Sequence, residues 1–169
     1  EVIDLAHKVV GVGSVGTRAW VVLFTGRDEQ DPFFLQVKEA QPSVLEGFVG
    51  KSSYATHGQR VVEGQRLMQA ASDIFLGYDR VEGPGGSRDF YMRQLWGWKA
   101  SADIESMDAA TLTIYARICG WTLARAHARS GDRVAIAAYL GNSTTFDRAI
   151  GDFAEAYAEA YPDLVADAI

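Results

Sequence analysis

Alternating apolar and polar residues in the first hundred positions predict short β-strands. From Thr17 to Thr25 the alternate positions form two distinct faces, which is the period of a strand. Residues 33–38 are predicted as a third strand ending in Lys38, and residues 9–10 as the end of the first. Glu1 to Lys8 is expected to be a frayed turn or a lead-in to that first strand.

Turn residues then mark where the predicted strands connect. The polar segment from Gly26 to Pro32 joins the second and third strands, and the glycine-rich turn at 82–87 joins strands at 79–81 and 88–96. Between these two pairs, apolar residues at helical spacing predict a helix from Arg60 to Phe75. Its predicted apolar stripe consists of Val61, Gly64, Met68, Ala71 and Phe75.

Beyond residue 100 the periodicity is helical. A helix from Ala109 to about Ala128, capped by Asp108, is expected to be largely buried, with Cys119 in the core. A short helix follows at 135–140, and a last one runs from Ser143 or Thr144 through Tyr161, where Pro162 ends or turns it. The inward face of that last helix is predicted at Phe146, Ile150, Phe153, Ala154 and Tyr157.

These elements predict an α+β fold. An antiparallel sheet of about five strands contains one helix inserted after its third strand, and a helical part follows. The predicted domains are a small lobe at residues 1–100 and the helical part of a larger lobe at 101–169.

Composition excludes some classes of partner. The net charge of −6, without a Lys/Arg cluster, disfavours a nucleic-acid partner. No apolar run reaches the roughly 18 residues that a membrane span needs, and no leader pattern opens the chain. A single cysteine, Cys119, favours a reducing, cytoplasmic location. Because the chain starts at Glu1 without methionine, we expect an upstream region to be missing.

A Gly-x-Gly-x-x-Gly motif lies between the first two predicted strands. Gly11, Gly13 and Gly16, with Ser14 between the last two, let main-chain N–H groups approach a phosphate without Cβ clashes. In a dinucleotide-binding fold a helix would begin at Gly16, whereas this sequence continues as a strand. The pattern therefore favours a protein-kinase-type glycine loop over a Rossmann loop.

The third strand supplies the matching lysine. Residues 35–38, Leu-Gln-Val-Lys, stand where kinases have Val-Ala-Ile-Lys, so Lys38 is predicted to touch the phosphates. Glu63 is the first candidate for its carboxylate partner and Glu46 the second, although either glutamate fits equally a solvated helix surface. The segment from Arg93 to Leu95 is predicted to lie against an adenine ring. An ordinary glycine-rich hairpin with a lysine at a strand end remains the alternative on these residues alone.

Two other motifs do not support a site. Gly50-Lys51-Ser52-Ser53 lacks the preceding glycine of a phosphate-binding Walker loop. The run from His127 to Asp132 contains histidine, serine and aspartate, but linear proximity is not the geometry of a catalytic triad. A cationic helix end stopped by Gly131 explains that run better.

Five segments in order resemble the bacterial family of unknown function called DUF2252. They are residues 10–18, 34–40, 58–73, 91–95 and 123–132. Members of that family look like distant, permuted relatives of protein kinases and aminoglycoside phosphotransferases. Their upstream region carries Gly-Asp-x-His-x-x-Asn-Phe-Gly and Asp-Phe-Asp stretches that resemble a catalytic loop and a metal-binding motif. Neither stretch occurs here, so the chain resembles the later portion of the family.

This resemblance implies the nucleotide-phosphate-binding part of an ATP-dependent phosphotransferase, with ATP and Mg²⁺ as cofactors. The Mg²⁺ ligands would lie outside this chain, and the missing upstream region would be its partner. The alternative is a non-catalytic binding or scaffold domain with a kinase-like fold, since fold does not entail chemistry. The acceptor substrate and the oligomeric state do not follow from the sequence.

We expect the isolated 169 residues to transfer no phosphoryl group, because the stretches that resemble the catalytic base and metal ligands are absent. The measurement is release of labelled phosphate from ATP with Mg²⁺ present. Robust Mg²⁺-dependent phosphorylation by this chain alone would contradict the assignment.

Overall fold

A computed structural model describes residues 1–8, 16–28, 30–95 and 101–166, with side chains through residue 161. The first part is an antiparallel five-stranded sheet with the strand order β1-β2-β3-β5-β4. The strands are β1 (Val2–His7), β2 (Ala19–Thr25), β3 (Pro32–Ala40), β4 (Gly77–Val81) and β5 (Arg88–Gln94). The predicted α+β class and antiparallel sheet are confirmed.

Two helices lie between β3 and β4, α1 (Glu46–Val49) and α2 (His57–Met68). Helix α2 packs closely on one face of the sheet. A Cβ added at Gly58 would meet the Phe90 carbonyl and lie 3.1 Å from the Tyr78 Cβ, which shows how near the helix backbone lies. Val62, one turn later, is completely buried. We call the side of the sheet that carries Tyr78 the helix side.

Strand register decides which other residues lie on the helix side. Lys38 pairs with Ala19 on β2 and with Tyr91 on β5, and Tyr91 pairs with Tyr78 on β4. Directly paired residues point to the same face of a sheet. Lys38 is therefore on the helix side.

The opposite face carries an apolar depression of about 280 Å³. It is lined by Leu5, Trp20, Val37, Val81 and Phe90. The rings of Trp20 and Phe90 meet edge to face with centroids 5.6 Å apart. Further along this face, Phe33 stacks between Phe24 and Phe75.

The first strand differs from the prediction. Strand β1 uses residues 2–7, which were expected to be a frayed turn or lead-in, while residues 9–10 lie outside the described residues. It is an edge strand with every residue exposed, and its register shifts between Val2 and Asp4. An edge strand of this kind lacks the regular alternation that reveals a strand in sequence. Strand β3 also continues past Lys38 to Ala40.

Helix α2 begins earlier and ends earlier than predicted. Thr56 caps it by accepting a hydrogen bond from the Gln59 N–H, and the helix stops at Met68. The buried positions are Gly58 and Val62, so the predicted apolar stripe is wrong. Met68 is 47% exposed, and Ala71 and Phe75 lie beyond the end of the helix. Phe75 instead stacks on Phe33.

The described chain forms two compact units, residues 1–126 and 127–169. The helices after the sheet are α3 (Ala109–Ser130), α4 (Arg133–Leu140) and α5 (Thr145–Ala166), preceded by a 3₁₀ turn (Ile104–Ser106). Asp108 accepts from the Thr111 N–H and Asp132 from the Val134 N–H, so both helix starts are capped by aspartate. Gly131 follows α3, as predicted. The predicted division near residue 100 stays a prediction.

The predicted burial of these helices is wrong. Ala126 is the buried residue of α3, whereas Ile118, Trp121 and Cys119 are exposed. The predicted inward face of α5 is exposed as well, including Phe153 at 64%. Periodicity shows which side of a helix is apolar, but it does not show whether another part of the chain covers that side.

Helix α5 continues to Ala166, so position 162 does not end it. Within the described ranges, no helix combines the length and apolar character that crossing a membrane requires.

Gly58→Ala should lower the free energy of unfolding by about 1–3 kcal/mol, because the new methyl group would overlap the Phe90 carbonyl. Gly64→Ala on the same helix is the matched control, since a Cβ there meets no atom of the described residues within 4 Å. Its free energy of unfolding should rise by about 0.5–1 kcal/mol, because alanine has a higher helix propensity than glycine. Urea denaturation of both variants measures the difference. Equal effects would contradict close packing at Gly58.

Candidate functional site

The glycine loop is described at its last residue. Gly16 has φ +79°, in the left-handed region where other residues are strained. Its backbone conformation therefore favours glycine. Gly11, Gly13 and Ser14 lie outside the described residues. Strand β2 begins at Ala19, so the loop is followed by a strand, as predicted.

Lys38 is half-buried on the helix side of the central strand. Its neighbour on β2 is Ala19, which is 1% exposed and follows the loop by three positions. On β5 its neighbour is Tyr91, where burial raises the pKa of the phenol above its usual range despite the opposing charge of Arg93. The lysine thus stands between the strand that leaves the loop and a neutral tyrosine.

The two candidate carboxylates have partners of their own. Glu63 forms an ion pair with Arg66 at 2.9 Å on the half-exposed surface of α2. Glu46 accepts a hydrogen bond from the Ser43 N–H and lies 3.8 Å from the His57 Nδ1. A pairing of either glutamate with Lys38 stays a prediction.

Arg93 and Leu95 lie at the end of β5. Arg93 pairs with Gln36, one diagonal step from Lys38 on the helix side. Diagonal neighbours in an antiparallel sheet are about 7–8 Å apart. The Leu95 N–H donates to the Phe34 carbonyl at 2.8 Å and extends the pairing of β3 with β5. The contact of this segment with an adenine ring stays a prediction.

Register brings two further residues to the helix side beside Lys38. Gln36 is 5% exposed and Tyr91 half-buried. Neither belongs to a motif, and they join Lys38 only because β3 pairs with β5 in this register. The sequence prediction named neither residue as part of the site. The alternation of β3 is the signal that could have found Gln36, whereas no local pattern identifies Tyr91.

Two nearby carboxylates are fully engaged in ion pairs. Glu39, on the face opposite Lys38, accepts from Arg18 and Arg88. Burial alone would raise the pKa of Glu39, but hydrogen bonds from these two arginines outweigh it and lower the pKa overall. Such neutralised carboxylates stabilise the sheet and are poor proton acceptors.

Asp89 holds the start of α2 on the sheet. Its carboxylate accepts two hydrogen bonds from Arg80, at 2.6 and 3.1 Å, and one from the His57 N–H at 2.7 Å. The Arg80 hydrogen bonds lower the pKa of Asp89 against the opposing effect of burial, and the His57 N–H adds to the lowering. Asp89 therefore remains charged at neutral pH and has a structural role.

The described residues contain no group of three or more His, Cys, Asp or Glu side chains arranged to hold a metal ion. Phosphate binding by Gly16 and Lys38 stays a prediction.

Comparison with known proteins gives a family. The family model described as an uncharacterized protein conserved in bacteria, DUF2252, matches residues 1–162. No curated protein matches the chain significantly, and no solved structure does.

Asp89→Asn should cost about 1–3 kcal/mol at pH 7, because it removes charged hydrogen bonds to Arg80. The folded-state pKa of Asp89 is lowered below 3.8, so its contribution is complete above that value and is lost as pH falls through the folded pKa. The difference in the free energy of unfolding between wild type and variant should therefore become smaller below about pH 4. Urea denaturation at a series of pH values measures it. Asp152→Asn on exposed α5 is the control and should change little at any pH. A gap independent of pH would contradict this assignment.

Proposed function

This chain belongs to the DUF2252 family, and we propose that it forms the nucleotide-phosphate-binding part of a kinase-like phosphotransferase. In this proposal the glycine loop lies over the phosphates and Lys38 contacts them from the strand below. The upstream part of the full protein would supply the acceptor-orienting residue and the metal ligands.

The observation that carries the proposal is the placement of Lys38. Its side chain is on the helix side, half-buried, and it pairs with Ala19 just after the glycine loop. A lysine on the far face, or a helix after Gly16, would have ruled the proposal out. The left-handed backbone of Gly16 further supports a loop built for close approach of a ligand.

These groups suit phosphate chemically. Lys38 is half-buried and pairs with Ala19 and Tyr91, so its charge interacts with an anion more strongly than a charge in bulk water, because the local dielectric constant is lower. Phosphoryl transfer depends mainly on positioning and charge neutralisation, so binding by main-chain N–H groups and one lysine forms a coherent half of such a site. A bound Mg²⁺ would neutralise the developing phosphate charge when supplied with its own ligands.

Lys38→Ala should weaken ATP binding at least tenfold, which corresponds to about 1.4 kcal/mol, because it removes the charge that faces the phosphates. Isothermal titration calorimetry with ATP measures the affinity. Lys51→Ala, at an exposed loop lysine, is the matched control and should bind ATP like wild type.

Adenosine provides a second control, because it lacks phosphates and its affinity should not change in Lys38→Ala. The absence of saturable binding at millimolar ATP would favour the scaffold alternative. Equal loss in Lys38→Ala and Lys51→Ala would show nonspecific attraction of an anion and would also contradict the proposal.

A further inference from the structure

A polar pocket lies where α2 ends near β5. Its volume is about 330 Å³. It is lined by Gln65, Gln69, Ala71, Ser72, Asp73 and Arg93. The pocket therefore combines one cation, two carboxamides and one hydroxyl with a single carboxylate.

That carboxylate, of Asp73, accepts hydrogen bonds from main-chain N–H groups. The Asp73 Oδ1 accepts from the Phe75 N–H at 2.8 Å, and its Oδ2 accepts from the Gln94 N–H at 2.5 Å. The first hydrogen bond closes a turn within the loop between α2 and β4, and the second holds that loop against the end of β5. Asp73 forms no ion pair with Arg93 within 4 Å.

Arg93 differs from the arginines around it. Arg66 is ion-paired with Glu63 and also donates to the Leu76 carbonyl, and Arg80 is ion-paired with Asp89. Arg18 and Arg88 share Glu39. Arg93 is half-buried, yet among the described residues its side chain has no hydrogen bond or ion pair.

A partly desolvated guanidinium that has no counterion in the described part of the chain loses hydration without forming an ion pair in return. Its five N–H donors form a fork that matches two oxygens of a phosphate or carboxylate. The carboxamides of Gln65 and Gln69 and the hydroxyl of Ser72 can donate to the remaining oxygens.

We propose that this pocket binds the oxyanion group of a small ligand, a phosphate or a carboxylate, through Arg93. The inference gives Arg93 a different role from the adenine-side contact predicted from sequence. It does not require nucleotide binding at Lys38. A pocket of this size accommodates one small anionic group with part of its carrier.

Nuclear magnetic resonance tests the proposal on the full 169-residue chain. Inorganic phosphate and acetate are titrated separately at constant ionic strength while the side-chain amide signals of Gln65 and Gln69 are followed. Saturable shifts of these signals are expected in wild type, with at least tenfold weaker binding in Arg93→Gln. Arg27→Gln is the matched control, because Arg27 is an exposed hairpin arginine with its side chain 90% exposed.

The two titrants distinguish the ligand classes, since saturation by phosphate alone or acetate alone identifies the preferred anion. Absence of saturable shifts in wild type with both anions would overturn the proposal even if Arg93→Gln failed to fold. Equal affinities in wild type and a folded Arg93→Gln would overturn it too. Phosphate binding that is lost in Lys38→Ala but kept in Arg93→Gln would place the anion at Lys38, which rejects this pocket while leaving the nucleotide site intact.

Discussion

The close approach of α2 to the sheet is the contact on which the rest of the first unit depends. Gly58 lets the helix backbone approach the Phe90 carbonyl, Val62 is completely buried one turn later, and Asp89 bonds the first N–H of the helix. This contact gives the sheet two different faces. One is covered by α2 and carries Lys38, and the other bears the apolar depression around Trp20 and Phe90.

Charged residues lie on both faces of the sheet. Glu39 and Asp89 each take arginine partners, so the most buried carboxylates contribute to stability and are neutralised. Lys38 and Arg93 lie one diagonal step apart on the helix side. Two cations close together on one sheet face are consistent with the anion binding proposed above.

The helices after the sheet are fixed by local contacts and leave their apolar sides exposed. Their starts are fixed locally, by aspartate caps at Asp108 and Asp132, and these contacts need no tertiary structure. Their apolar sides, including Trp121 and Phe153, are exposed. Secondary structure can therefore form from local signals while the cover for its apolar side depends on groups elsewhere.

The sequence by itself determined that β2 to β5 are strands, where the hairpin turns lie, and that a helix is inserted after β3. These features depend on local periodicity and turn chemistry, which neighbouring residues carry. Tertiary structure decided that β1 starts at Val2, that Tyr91 stands beside Lys38, that Arg93 lines a pocket with Gln69, and that Cys119 is exposed. Those outcomes depend on strand register and on packing between distant segments. The sequence pattern of one segment does not specify which other segment it pairs with or in which register.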